Sequence, residues 1–185
     1  MNRVAVLGAG NGGLSMGAFL SLNGCSVQLF DKFPAAIEQI REAGGVTLKG
    51  VSRTGFAKFD MITTNVVEAI EGCRMILVVT PAFAHRELAE TMAPYLDRGQ
   101  KIVLNPGRTA GAIEFHMRAK AINPKADFVV AEAQSLIYAC RKTGPAEVTI
   151  FKVKNEMALA ALPATRTEEV LQELKPFYPQ FIAAE

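Results

Sequence analysis

The chain has 185 residues, half of them hydrophobic, with 20 Lys and Arg against 18 Asp and Glu for a net charge of +2. That length suits one full domain with a substantial core. Interspersed charges of nearly balanced sign argue against a nucleic-acid groove or a polybasic membrane patch.

Val4 to Leu7 reads as a short buried strand. Gly8 to Gly13 is a turn, Leu14 to Leu22 a helix, and Gly24 its stop. Val27 to Phe30 is a second buried strand ending at Asp31, and Ala35 to Glu42 a second helix. "VTLKGVSRTGFAKF" alternates around a Gly-and-Ser turn and predicts a hairpin. Asn65 and Glu68 have capping-box spacing, so a short helix starts there. Strands at Met75–Thr80, "KIVLN" and "DFVVAEA" alternate with helices at Ala84–Leu96 and "TAGAIEFHMRAKA". The pattern predicts an α/β fold, a Rossmann-type doubly wound parallel sheet. "LIYACRK", "EVTIFKV" and "ALAALPA" lack intervening helices and are expected to be antiparallel additions near the C-terminus. A last helix follows, with Thr165 and Glu168 as its capping box and Pro176 and Pro179 as its end.

No apolar stretch is long enough to span a bilayer. "MNRVAVLG" passes directly into a glycine turn, unlike a signal peptide. Cys25, Cys73 and Cys140 are scattered, so neither a zinc site nor a disulfide framework is indicated. They read as packing residues in a cytoplasmic protein.

Gly8, Gly10 and Gly13 satisfy G-x-G-x-x-G between a strand and a helix, with an acid at the end of the next strand. Gly8 permits the tight turn, Gly10 lets backbone approach a pyrophosphate, and Gly13 lets helix pack on strand. Asn11 and Gly12 complete the loop, whose helix N-terminus presents unpaired N–H groups to phosphate. Asp31 is placed to accept both ribose hydroxyls of an adenosine. Its charge favours NAD over NADP, although the adjacent Lys32 could receive a 2′-phosphate and keeps NADP open. A glycine turn that only packs a helix is one alternative. A methyltransferase loop, from Gly8, Gly10 and Gly12, is another, but Val6 and Leu7 stand where such loops usually carry an acid.

Ligands of doubly wound sheets sit outside the carboxyl ends of the strands. "TPAFAH" (Thr80, Pro81) and "NPGRT" (Asn105, Pro106, Arg108) are therefore candidates for the nicotinamide side. Arg108 suits a phosphate or carboxylate, or is a solvated helix-cap arginine. His85 is a catalytic acid/base candidate or, more blandly, a helix-start histidine. His116 reads as structural or exposed. Glu132 and Gln134 end a strand at the same edge, against ligand or a neighbouring domain.

"NPGRTAGAIEF", "AEAQSLIYACRK", "KNEMALAALPA" and "TPAFAHRELAETMAPYL" together resemble the octopine/nopaline (opine) dehydrogenase family, over essentially the whole chain. The resemblance implies an oxidoreductase acting on CH–NH bonds, which joins an amino acid to a 2-oxo acid with hydride from NAD(P)H. It implies a Rossmann domain followed by a helical domain holding the catalytic histidine and its acidic partner. Residues 1–185 would then be the cofactor domain alone, ending near "PFYPQFIAAE" without the helical domain, and its catalytic residues are unknown. Cofactor roles carry over to Gly8, Gly10, Gly13 and Asp31, and more loosely to Thr80, Pro81, Asn105, Pro106 and Arg108. The glycerol-3-phosphate dehydrogenases and ketopantoate reductases share the opening motif, and a free-standing nucleotide-binding module is the non-enzymatic alternative. If the last strands and final helix pack on a second domain, their exposed apolar surface would favour a homodimer.

Overall fold

A computed structural model describes residues 3–107 and 109–184. Among them, the strands form two sheets. The larger contains β1 (Arg3–Leu7), β2 (Ser26–Phe30), β5 (Met61–Thr63), β6 (Met75–Val78), β7 (Gln100–Leu104), β8 (Phe128–Ala133), β11 (Met157–Leu162) and β12 (Phe181–Ala183). Its order is β12-β11-β8-β7-β6-β1-β2-β5, parallel except where β11 runs against β8. Strand order reverses between β1 and β6, which makes their carboxyl ends the switch point of the sheet.

Side-chain alternation explains why both faces of this sheet are covered. Val4 and Val6 enter one core cluster while Ala5 and Leu7 enter the other, and Met75 and Leu77 divide from Ile76 and Val78 in the same way. Helices α3 (Val66–Ile70), α4 (His85–Met92) and α5 (Gly111–Ile122) supply the second cluster through Ile70, Met92 and Phe115. The first cluster is built on α1 (Asn11–Leu22), α2 (Pro34–Ala43) and α6 (Thr167–Leu174).

The smaller sheet has the order β4-β3-β10-β9, from β3 (Gly45–Gly50), β4 (Gly55–Lys58), β9 (Tyr138–Gly144) and β10 (Glu147–Val153). The expected hairpin is β3–β4, and β9–β10 is antiparallel as expected. β10 also pairs parallel with β3, and β11 leaves this group to join the main sheet, so the three C-terminal strands are divided between two sheets. The smaller sheet lies against α1, which is therefore enclosed and has Leu14, Met16, Ala18 and Leu20 fully buried.

Two local expectations are corrected. Asn65 caps α3 by accepting from the Val67 N–H at 3.1 Å, but Glu68 accepts from the Thr63 hydroxyl at 2.8 Å, and it is Thr63 Oγ1 that accepts the Asn65 N–H at 3.0 Å. The final helix begins at Thr167 after a short 3-10 turn over Ala164–Arg166, so Thr165 is not its cap. The Thr167 hydroxyl instead accepts the Ala161 N–H and ties the helix to β11. α6 also buries its apolar face within this domain, through Val170, Leu171 and Leu174. The most exposed large apolar residues are elsewhere, with Phe83 at 87% and Phe33 at 66%. No helix among the described residues is long and apolar enough to cross a membrane.

Candidate functional site

The loop from β1 into α1 needs its glycines for different reasons. Gly8 has φ of +114°, and a Cβ there would lie 2.5 Å from the Val79 carbonyl oxygen. A Cβ at Gly13 would lie 1.7 Å from the Gly8 carbonyl oxygen, so nothing larger permits this packing of helix on turn. Around Gly10 no atom of the described residues lies within 4 Å of the Cβ position. Its open side faces a cavity of about 560 Å³ that Gly8 also lines.

The other two loop residues look away from that cavity. A Cβ on Gly12 would come within 2.9 Å of the Val79 and Leu136 side chains. The Asn11 side chain accepts the Lys142 N–H at 2.7 Å and the Asn11 carbonyl accepts from Cys140 Sγ, joining α1 to β9.

Asp31 lines the cavity beside the loop. One carboxylate oxygen accepts the Ala9 N–H at 2.7 Å, the other the Phe33 N–H at 3.0 Å. Thr80 and Pro81 line the same space from the end of β6. So do Phe33, Phe83 and Glu87, which the sequence does not single out, and Asn65, expected there only as a helix cap. Two signals were available for the aromatics, since Phe33 follows Asp31 by two residues and Phe83 lies within "TPAFAH". Lys32 Nζ contacts both Glu87 carboxylate oxygens, at 2.6 and 2.9 Å.

A polar cluster flanks the switch point. Thr80 Oγ1, His85 Nε2 and both side-chain amide atoms of Asn105 are buried without a hydrogen-bond partner among the described residues. Buried polar groups are ordinarily satisfied, so this concentration marks a surface suited to a polar ligand. His85 is 1% exposed, and burial pushes its imidazole below the ordinary value, against the opposing pull of a Thr80 backbone hydrogen bond, Glu114 and Glu132. It is therefore neutral at pH 7. Asn105 and Pro106 form the turn after β7, outside the lining of the 560 Å³ cavity, and Arg108 lies outside the described residues. Glu132 accepts the Ala112 N–H at 2.7 Å, capping α5, while Gln134 is exposed.

This arrangement fits a dinucleotide. A helix N-terminus and an unobstructed glycine meet the cavity, a carboxylate is fixed beside them, and polar atoms without a partner among the described residues lie beyond. Residues 3–108 match the family described as NAD-dependent glycerol-3-phosphate dehydrogenase N-terminus. The chain belongs to that family. It is an NAD-binding, Rossmann-type dehydrogenase domain, with relatives among the opine and octopine dehydrogenases. It is 35% identical over 181 residues to the opine dehydrogenase of Arthrobacter sp. (strain 1C), covering 98% of this chain and 50% of that protein. An octopine dehydrogenase structure in complex with NADH and agmatine superposes with a TM-score of 0.87 at 23% identity, over 100% of this chain and 49% of that one. An NADP+-bound yersinopine dehydrogenase gives a TM-score of 0.81 at 14% identity, over 100% and 47%. The last two likenesses show the shared fold. The chain spans about half the length of these relatives.

Proposed function

We propose that this chain holds the cofactor for an opine-dehydrogenase-type oxidoreductase. In that reaction the amine of an amino acid condenses with a 2-oxo acid, water leaves, and the imine is reduced to a secondary amine. The bound NADH supplies the hydride that reaches the imine carbon, and a proton is added at nitrogen. The extent of the likeness carries this reading. The match to the glycerol-3-phosphate dehydrogenase family covers residues 3–108, whereas the likeness to the Arthrobacter opine dehydrogenase covers 98% of the chain.

Within these residues, Gly10 and the first turn of α1 receive the pyrophosphate and Asp31 receives the adenosine ribose. Thr80, which lines the cavity, and Asn105, buried behind it, lie on the nicotinamide side of this reading, and Gly8 and Gly13 shape the turn. Acid–base work falls to a domain beyond these 185 residues. Supporting this, His85 is buried and neutral, and His116 sits mid-helix with burial lowering its pKa. Substrate is enclosed between the two domains, which also excludes water from the imine.

Calorimetric titration with NADH, followed by assays of NADH oxidation with pyruvate and a panel of amino acids, tests both parts. Saturable NADH binding without turnover is expected of this chain alone. Failure to bind NADH overturns the cofactor assignment, and robust turnover overturns the division of labour.

A further inference from the structure

Among the described residues that line the cavity, Lys32 beside Asp31 is the one cation, and it is already engaged. Lys32 follows Asp31 directly, at the position where a positive side chain could receive a phosphate on the adenosine 2′-oxygen. Its Nζ instead lies between the two carboxylate oxygens of Glu87, at 2.6 and 2.9 Å. Glu87 belongs to the first turn of α4, and Asp31, Lys32 and Glu87 all line the same space.

We propose that Glu87 is a cofactor-selectivity residue, which disfavours NADP(H) by holding Lys32 and adding a second carboxylate to the ribose end of the cavity. The inference rests on the assignment of this cavity to the adenosine half of the dinucleotide. A 2′-phosphate brings close to two negative charges. Against it stand Asp31, fixed by the Ala9 and Phe33 N–H groups, and Glu87. Lys32 cannot serve that phosphate without leaving Glu87, whose charge would then also repel the newcomer. Asp31 alone leaves discrimination incomplete, because a neighbouring lysine can offset one carboxylate. With Glu87 present, two carboxylates face one ammonium.

The position is suited to tuning. The Lys32 and Glu87 side chains are 58% and 60% exposed, so their pairing adds little to stability and can be altered without disturbing the core. Both line the same cavity as Asp31, so a charge there acts on a phosphate bound beside Asp31.

The test is the ratio of the dissociation constants for NADPH and NADH, measured by calorimetry on the wild-type chain, Glu87→Gln, Glu87→Ala, and the double variant E87Q/K32Q. The expected result is a ratio about tenfold lower in both single variants, the order of one like charge removed beside a phosphate at partial exposure. In the double variant the ratio should return toward the wild-type value, because the freed ammonium is no longer present. An unchanged ratio in the single variants that bind NADH overturns the inference. So does a fall of the same size in the double variant, since Lys32 would then play no part. Wild-type protein that binds neither cofactor overturns the underlying assignment of the cavity, and the inference with it.

Discussion

Asp31 is bonded to the glycine loop itself, its carboxylate accepting the Ala9 N–H at 2.7 Å while its second oxygen holds the Phe33 N–H. The acid that would meet the ribose thus also fixes the path of the turn that would meet the pyrophosphate. Asp31→Ala removes both functions and is expected to weaken NADH binding by about 100-fold, the worth of two charge-assisted hydrogen bonds partly replaced by water. Asp31→Asn keeps an acceptor and should lose less. Parallel titrations of the two variants check the order. Equal losses would show that charge, and not loop anchoring, is the whole contribution.

The glycines separate binding from folding. Gly10→Ala places a methyl group where no atom of the described residues lies within 4 Å, so the thermal midpoint should move by only a few degrees while NADH affinity falls at least tenfold. Gly13→Ala drives the methyl to 1.7 Å from the Gly8 carbonyl oxygen and should prevent normal folding. Circular dichroism melts with NADH titration distinguish the two. An intact, binding-competent Gly13→Ala protein would contradict the account of the turn.

His85 predicts a specific pH dependence. Burial depresses its folded-state pKa below the ordinary 6.5, so between that value and the lower folded one the unfolded chain binds more protons than the native chain. The stability of the neutral, buried imidazole is complete above about 6.5 and is lost as pH falls through that window. Urea midpoints at pH 7.5 and 5.5 should differ in the wild type, and His85→Gln should reduce the difference. A slope unaffected by the substitution would assign it to other groups.

A lower window belongs to Glu169. Arg166 and Lys101 hold its carboxyl at about 2, down from an ordinary 4.5. Its contribution is therefore present above about 4.5 and lost on acidification toward 2. Lys101 is itself 1% exposed and reaches Glu173 at 2.7 Å and Glu169 at 3.0 Å. Glu173→Ala leaves that buried ammonium with one partner and should cost about 1–3 kcal/mol, whereas Lys101→Met should cost less. Chemical denaturation of the two variants at pH 7 gives the comparison, and a larger loss in Lys101→Met would reverse the argument.

Features carried by local spacing were the legible ones. The alternation of strand and helix, the order of the loops at the carboxyl edge and the separate demands of Gly8, Gly10 and Gly13 all depend on near neighbours in the chain. β5 and β12 went unread because three residues are too few to show a period. The parallel pairing of β10 with β3 was equally hidden, since an extended run of residues does not name a partner about a hundred residues away. The state of Lys32 followed the same rule. Its sequence neighbourhood left NADP open, and the Glu87 carboxylates that engage it come from 55 residues downstream. Thr165 and Glu168 had the spacing of a cap, but the Thr167 hydroxyl found its partner in β11 and moved the helix start.

The enclosure of α1 has a kinetic side. The nucleotide loop enters a helix held between two sheets, with Asn11 bonded to β9 and the Met16 carbonyl receiving the Tyr178 hydroxyl. Beyond its first turn, whose N–H groups stay open toward a phosphate, the helix from Leu14 onward should therefore rank among the slowest segments of the domain in amide hydrogen exchange. A dinucleotide arriving there meets a backbone that is already immobile, so little chain entropy is surrendered on association.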